Sequence, residues 1–212
     1  MNHATISADI ISYTSLEINE RRNVENIIKR FINDLSNKYT NNAFFGRLIK
    51  GDYVELVLMN PKDSLRVALQ LKTLVKSIKL KNNSTPKSLD IRIAFAIAPL
   101  DVIDFENGII DGEAIYKSGR AVENKLSDST FYFYHTDDKI CRTFGLIISL
   151  IEILLSNYSA KKCEIIYLLL NGYSNKEIAN SLAITLPAIS QHLKIDWKRI
   201  DEIIRYFEQD LI

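Results

Sequence analysis

Lys50-Gly51-Asp52 stands between two apolar runs, residues 43–49 and 53–59. A Gly-Asp turn between runs of strand-forming residues makes them antiparallel neighbours, so the chain must contain a sheet. The flanking segments limit how that sheet is covered. Residues 5–11 predict a buried strand, and residues 20–37 a helix with Val24, Ile27, Ile28, Phe31 and Leu35 on one side. Pro61 predicts the start of a second helix, whose Leu65, Ala68, Leu69, Leu71, Leu74, Val75 and Ile78 form a broad apolar face. Residues 89–98 predict a central strand, 113–126 a third helix and 131–134 a short aromatic strand. Loops are expected over 79–88 and 99–111. The order strand, helix, hairpin, helix, strand, helix, strand predicts an α+β, ferredoxin-like sandwich.

No strand signal follows residue 137. Residues 139–157 predict a linking helix, and 160–170 a helix ended by Asn171-Gly172. In residues 174–194, Ile178, Ala179 and Leu182 share one helical face. Ala183 is small where a turn must be tight, Thr185 is placed to cap a second helix, and Ile189 and Leu193 give that helix its own stripe. This spacing is that of a helix-turn-helix, whose second helix can enter a DNA major groove. Residues 195–211 continue or follow that helix, burying Trp197, Ile200, Ile203, Ile204 and Phe207. The expected division is 1–137 for the sheet domain, 138–157 for the linking helix and 158–212 for an all-α helix-turn-helix domain.

The second helix leaves Thr185, Leu186, Pro187, Ser190, Gln191 and Lys194 for DNA. Gln191 suits an adenine edge, and Thr185 and Ser190 suit bases or phosphate, while Lys176, Lys194 and Lys198 suit phosphates. Net charge over the chain is only +1, so any DNA affinity has to be local. Residues 160–199 carry Lys161, Lys162, Lys176, Lys194, Lys198 and Arg199 against Glu164, Glu177 and Asp196. Such modest charge suits a homodimer on a two-fold site better than a lone monomer. Cys141 and Cys163 make no metal spacing and suit a reducing, cytoplasmic setting. The first residues carry no secretory pattern, and the apolar run 144–155, broken by Ser149 and Glu152, is too short to span a bilayer. No membrane partner is expected.

Asp9, at the end of the first strand, and Asp52, in the hairpin turn, are candidate ligands for a hard cation such as Mg2+, which binds one or two carboxylates together with substrate phosphates. Turn and cap chemistry accounts for the same two residues without a metal. ADIISYT, KGDYVELVL and GEAIYKSGR resemble the core of the class III nucleotidyl cyclases. Asp9, Ile10, Tyr13 and Thr14 match its first metal element, Gly51 and Asp52 its second, and Gly112 and Arg120 its transition-state segment. Tyr116 stands where that resemblance implies asparagine, and Leu48 and Ile109 where it implies purine-reading polar residues. Apolar residues cannot hydrogen-bond a purine edge, so the resemblance implies a core that no longer cyclises ATP or GTP.

ADIISYTS, RLIKGDYVELVL and DGEAIYKSGRAVEN are also similar to the SatD-like family, which joins a cyclase-like region to a helix-turn-helix segment. Ala8 departs from the glycine expected there. The resemblance implies a DNA-binding transcriptional regulator whose altered cyclase-like domain senses a ligand or dimerises, with Arg120 as an anion partner. Two alternatives stand beside it. One is a metal-dependent nucleotide-binding, transferring or hydrolysing enzyme using Asp9 and Asp52; the other is a non-catalytic protein-interaction module.

Overall fold

The computed structural model describes residues 1–40, 42–81, 88–124 and 129–211, with the side chains of Lys194, Asp210 and Leu211 outside that description. Strand β1 (Asn2–Ile10) leads through a single 3-10 turn, Tyr13–Ser15, into α1 (Ile18–Lys38). The hairpin forms as β2 (Phe44–Ile49) and β3 (Tyr53–Leu58), with Lys50 and Gly51 both at positive φ in the turn. Pro61 opens a 3-10 turn rather than the helix itself, because it precedes the cap, and α2 runs Ser64–Ser77. Then come β4 (Ile91–Pro99), β5 (Val102–Asp104), β6 (Ile109–Asp111), α3 (Glu113–Glu123) and β7 (Phe131–His135). The expected end of the third helix at residue 126 and most of the 79–88 loop lie outside the described residues.

The fold is mixed α/β. Five strands form one sheet in the order β2-β3-β1-β4-β7, antiparallel except for the β4–β7 pair. Alternation along β1 sends Ala4, Ile6 and Ala8 into the main apolar core with α1 and α2. Thr5 and Ser7 point to the other face, where both hydroxyls meet Ser118 of α3, at 3.0 and 2.9 Å. A β5–β6 hairpin occupies part of the stretch expected as a loop. Three-residue strands are too short to carry a period-two pattern.

The helical second half comprises α4 (Asp138–Ser156), α5 (Ala160–Leu170), α6 (Asn175–Leu182) and α7 (Leu186–Tyr206), followed by a π-helical turn, Phe207–Leu211. Residues 195–206 continue α7 rather than starting a new helix. This half shares the core of the sheet. Cys163, Ile166 and Leu170 of α5 join the cluster containing Leu65 and Leu69 of α2. Phe207 wedges among Phe95, Phe133 and Phe144, with ring centroids 6.3, 6.1 and 5.3 Å away. Arg66 of α2 grips Glu208 with two bonds of 2.6 and 3.0 Å. Gln70 caps the end of α5 by donating to the Leu170 carbonyl at 3.1 Å.

One buried cation also ties elements together. Lys72 of α2 is fully buried and reaches Asp90 Oδ1 at 2.8 Å, the Ile91 carbonyl at 2.6 Å and Thr130 Oγ1 at 2.9 Å. Burial pushes its ammonium below the usual lysine range, against the pull of Asp90. Glu152 of α4 closes the other side by accepting from Ser129 and Thr130 hydroxyls, both at 2.8 Å.

Candidate functional site

Two places gather the residues singled out in the sequence. The first is one end of the sheet. The Ile10 amide donates to the Asp52 carbonyl at 3.1 Å, and Asp9 pairs across with Tyr53, so Asp9 and the hairpin turn adjoin. Ser12 at φ 60 turns the chain so that Tyr13 folds under the hairpin. The Tyr13 hydroxyl donates to Glu25 Oε1 at 2.5 Å, and a Cβ on Gly51 would lie 2.7 Å from that hydroxyl. Glycine at 51 therefore meets two demands, a φ of +87 and a tyrosine packed against it. Burial and the Glu25 carboxylate raise Tyr13 far above the usual phenol range, keeping it a hydrogen-bond donor.

Arg92, a single cation on β4 opposite Asp9, was not picked out in the sequence. Its guanidinium lies 3.4 Å from Asp9 Oδ2, with both side chains largely covered. The only signal for it is one charge inside the apolar run IRIAFAIAP. Two adjoining carboxylates suit a magnesium ion that brings phosphates and waters. Here a guanidinium already holds Asp9, and no group of three or more His, Cys, Asp or Glu is gathered for a metal among the described residues. The residues present do not make a magnesium site as they stand. Arg120 is exposed on α3, its guanidinium 5.7 Å from the Tyr116 ring centroid.

The second place is the junction of α6 and α7. A capping box starts α6: Ser174 Oγ accepts from the Glu177 amide at 3.3 Å, and Glu177 accepts from the Ser174 amide at 2.8 Å. The Ser174 hydroxyl, and after it the Ser174 amide, hold the Glu177 carboxyl below the usual range. Helix α6 ends where Ala183 enters the left-handed region at φ 51, and Thr185 then caps α7 through the Ala188 amide at 3.3 Å. Ile165, Ile178, Ala179 and Ile189 close a small core beneath this junction, with Leu182, Ile184 and Leu193 packed around it. Thr185, Leu186, Pro187, Ser190 and Gln191 are exposed above it, and Lys176 and Lys198 are exposed at its borders. The Ser190 hydroxyl donates to the Leu186 carbonyl at 3.2 Å and keeps its lone pairs outward.

Tyr158 and Lys162 fix α7 from the side of α5. Both donate to Asp196 Oδ2, at 2.6 and 2.5 Å. Burial would raise the Asp196 carboxyl, but these two donors outweigh it and hold the carboxyl below its usual range. Neither Tyr158 nor this network was singled out in the sequence.

No family model and no curated protein matches the chain. Solved structures do resemble it. A bacterial light-regulated adenylyl cyclase shows 14% identity and a TM-score of 0.46, over 62% of this chain and 74% of that one. The active GGEEF domain of a diguanylate cyclase from Vibrio cholerae shows 12% identity and 0.46, over 65% and 85%. An adenylate/guanylate cyclase/hydrolase from Silicibacter pomeroyi shows 18% identity and 0.45, over 58% and 70%. At these TM-scores none of the three bears on what the chain does.

Proposed function

We propose that the chain is a DNA-binding transcriptional regulator. In this reading α5, α6 and α7 form a helix-turn-helix unit, and the first half is a ferredoxin-like, cyclase-like domain of the SatD-like kind that senses a ligand or pairs two copies. One observation carries the reading. The start of α7 leaves Thr185, Leu186, Pro187, Ser190 and Gln191 outward while Ile189 seals the core beneath, which is the division a helix lying in a major groove requires.

Fluorescence anisotropy of the full chain on duplexes selected from a random pool tests it. Binding is expected to fall steeply with salt. Gln191→Ala should cost about 1–3 kcal/mol on the selected duplex and much less on unselected DNA. Lys176→Ala and Lys198→Ala should weaken both alike and lower the salt slope by about 1 each. Salt-sensitive binding that is absent, or indifferent to all three changes, removes the proposal.

A second reading, nucleotide binding with Mg2+ at Asp9 and Asp52, draws on the meeting of Asp9, Tyr13, Gly51 and Asp52 at one sheet end. It requires a ligand that takes Arg92 away from Asp9. A thermal shift with Mg2+ and a nucleoside triphosphate, lost in Asp9→Asn and Asp52→Asn, would support it; no shift with any nucleotide would exclude it.

A further inference from the structure

Helix α4 carries two apolar faces, and the fold uses one. Phe144, Ile148, Ile151 and Leu155 are buried against the core. On the other side Leu146, Leu150 and Ile153 are 71%, 63% and 60% exposed. With Thr143 and Asn157 they follow a 3-4-3-4 spacing, the seam of a helix that packs along another helix. Between Thr143 and Asn157 the only charged residue is Glu152, which is turned toward Ser129 and Thr130. With Leu154 and Tyr132 the seam presents roughly 500 Å² of apolar surface, near the upper end of what a soluble monomer leaves open. No helix of the described residues is long and apolar enough to cross a membrane.

We infer that this face binds a second copy of the same chain, with the two α4 helices packed antiparallel across a two-fold axis near Leu150. Three observations select that occupant. The first is self-complementarity, which a two-fold interface demands. Beside the projecting Leu146 lies a groove of about 680 Å³ lined by Gly145, Ser149 and Tyr132. A Cβ added at Gly145 would meet nothing within 4 Å, so a leucine of the other copy has room to enter. The second is area: two such faces together bury roughly 1,000–1,200 Å², the size at which specific interfaces begin. The third is charge. Arg142 is exposed at the N-terminal end of α4, where its ion pair is to Asp138 of its own helix at 3.7 Å. Antiparallel pairing about Leu150 keeps the two copies of Arg142 far apart. Parallel pairing would set Arg142 beside Arg142, and Asn157 beside an Asn157 whose amide already donates to the Ile153 carbonyl at 2.8 Å.

The pairing deepens the DNA-binding reading by supplying its dimer, but it stands on α4 alone and is tested without DNA. Sedimentation of the full chain should show a reversible dimer with a dissociation constant of about 10 μM or tighter. Leu150→Glu should weaken association at least about 100-fold, with the circular dichroism and melting of the dilute protein unchanged because Leu150 makes no core contact. A wild-type chain monomeric at about 100 μM, or a dimer indifferent to Leu150→Glu, overturns the proposal. So does a monomer that binds lipid vesicles through this face.

Orientation is read by oxidation in a Cys141→Ser background. Leu150→Cys should form an interchain disulfide, whereas Leu146→Cys should not, since an antiparallel pair centred on Leu150 sets the two copies of residue 146 about 12 Å apart along the helices. Crosslinking at both positions overturns the antiparallel geometry. A dimer that fails to bind DNA removes only the DNA reading, and a monomer that binds DNA removes only this one.

Discussion

Cys163 is a small thiol with a large consequence for stability. It is fully buried on α5 against α2, and burial pushes it up to about 11 from an ordinary value of 9.0. At pH 10 the unfolded chain has lost this proton and the folded chain has not, so ionisation favours unfolding. Its contribution is complete below pH 9 and is lost as pH rises toward 11, by about 2–3 kcal/mol. Tyr39 and Tyr158, both raised by burial, act in the same direction at higher pH. Urea midpoints measured from pH 8 to 11 should therefore fall, and Cys163→Ala should flatten the part of the curve between pH 9 and 11. A thiol reagent at pH 8 should label Cys141 in the folded protein and Cys163 only after unfolding.

Within the α6–α7 junction the capping residues sit where the local sequence puts them, and one turn residue adopts a conformation its type disfavours. Ser174, Glu177 and Thr185 do the capping that their residue types favour. Ala183 was expected there because it is small, but it occupies the left-handed region at φ 51, where a Cβ is a liability. Ala183→Gly should raise stability by about 1 kcal/mol, and Ser174→Ala should lower it by about 1 kcal/mol, both read from thermal melts. If Ala183→Gly destabilises instead, the turn is held by something other than backbone strain relief. Gly112 shows the opposite case at the start of α3. Its φ is +136, and a Cβ there would lie 2.7 Å from the Asp101 nitrogen and the Leu100 Cα. That glycine is required by the close backbone approach whether or not the segment binds anything.

At the scale of the molecule the two halves share one apolar core. Phe207 carries the far end of the second half into the aromatic cluster of Phe95, Phe133 and Phe144, and Arg66–Glu208 locks it there. Phe207→Ala should cost about 3–5 kcal/mol, and the loss should appear in a single unfolding transition followed both by Trp197 fluorescence and by far-ultraviolet circular dichroism. Two separated transitions would show that the halves melt independently despite this contact.

Much of the fold was legible because it is written in short-range chemistry. Gly51-Asp52 sets the hairpin, the spacing of Val24 to Leu35 sets α1, and Asn171-Gly172 ends α5, each through turn geometry or helical period acting within a few residues. The apolar side of the α6–α7 junction was legible for the same reason. The β5–β6 hairpin was not, being too short for a pattern. Arg92 beside Asp9, Lys72 beneath Asp90 and Phe207 among three rings were also beyond reach, because their partners lie far along the chain. The two faces of α4 show the same division most plainly. The sequence by itself determined that α4 is an apolar helix, since helical period and capping are local. Which of its sides meets the core and which stays open was decided only when β7, α7 and Phe207 took their places, because burial depends on what the rest of the chain puts alongside.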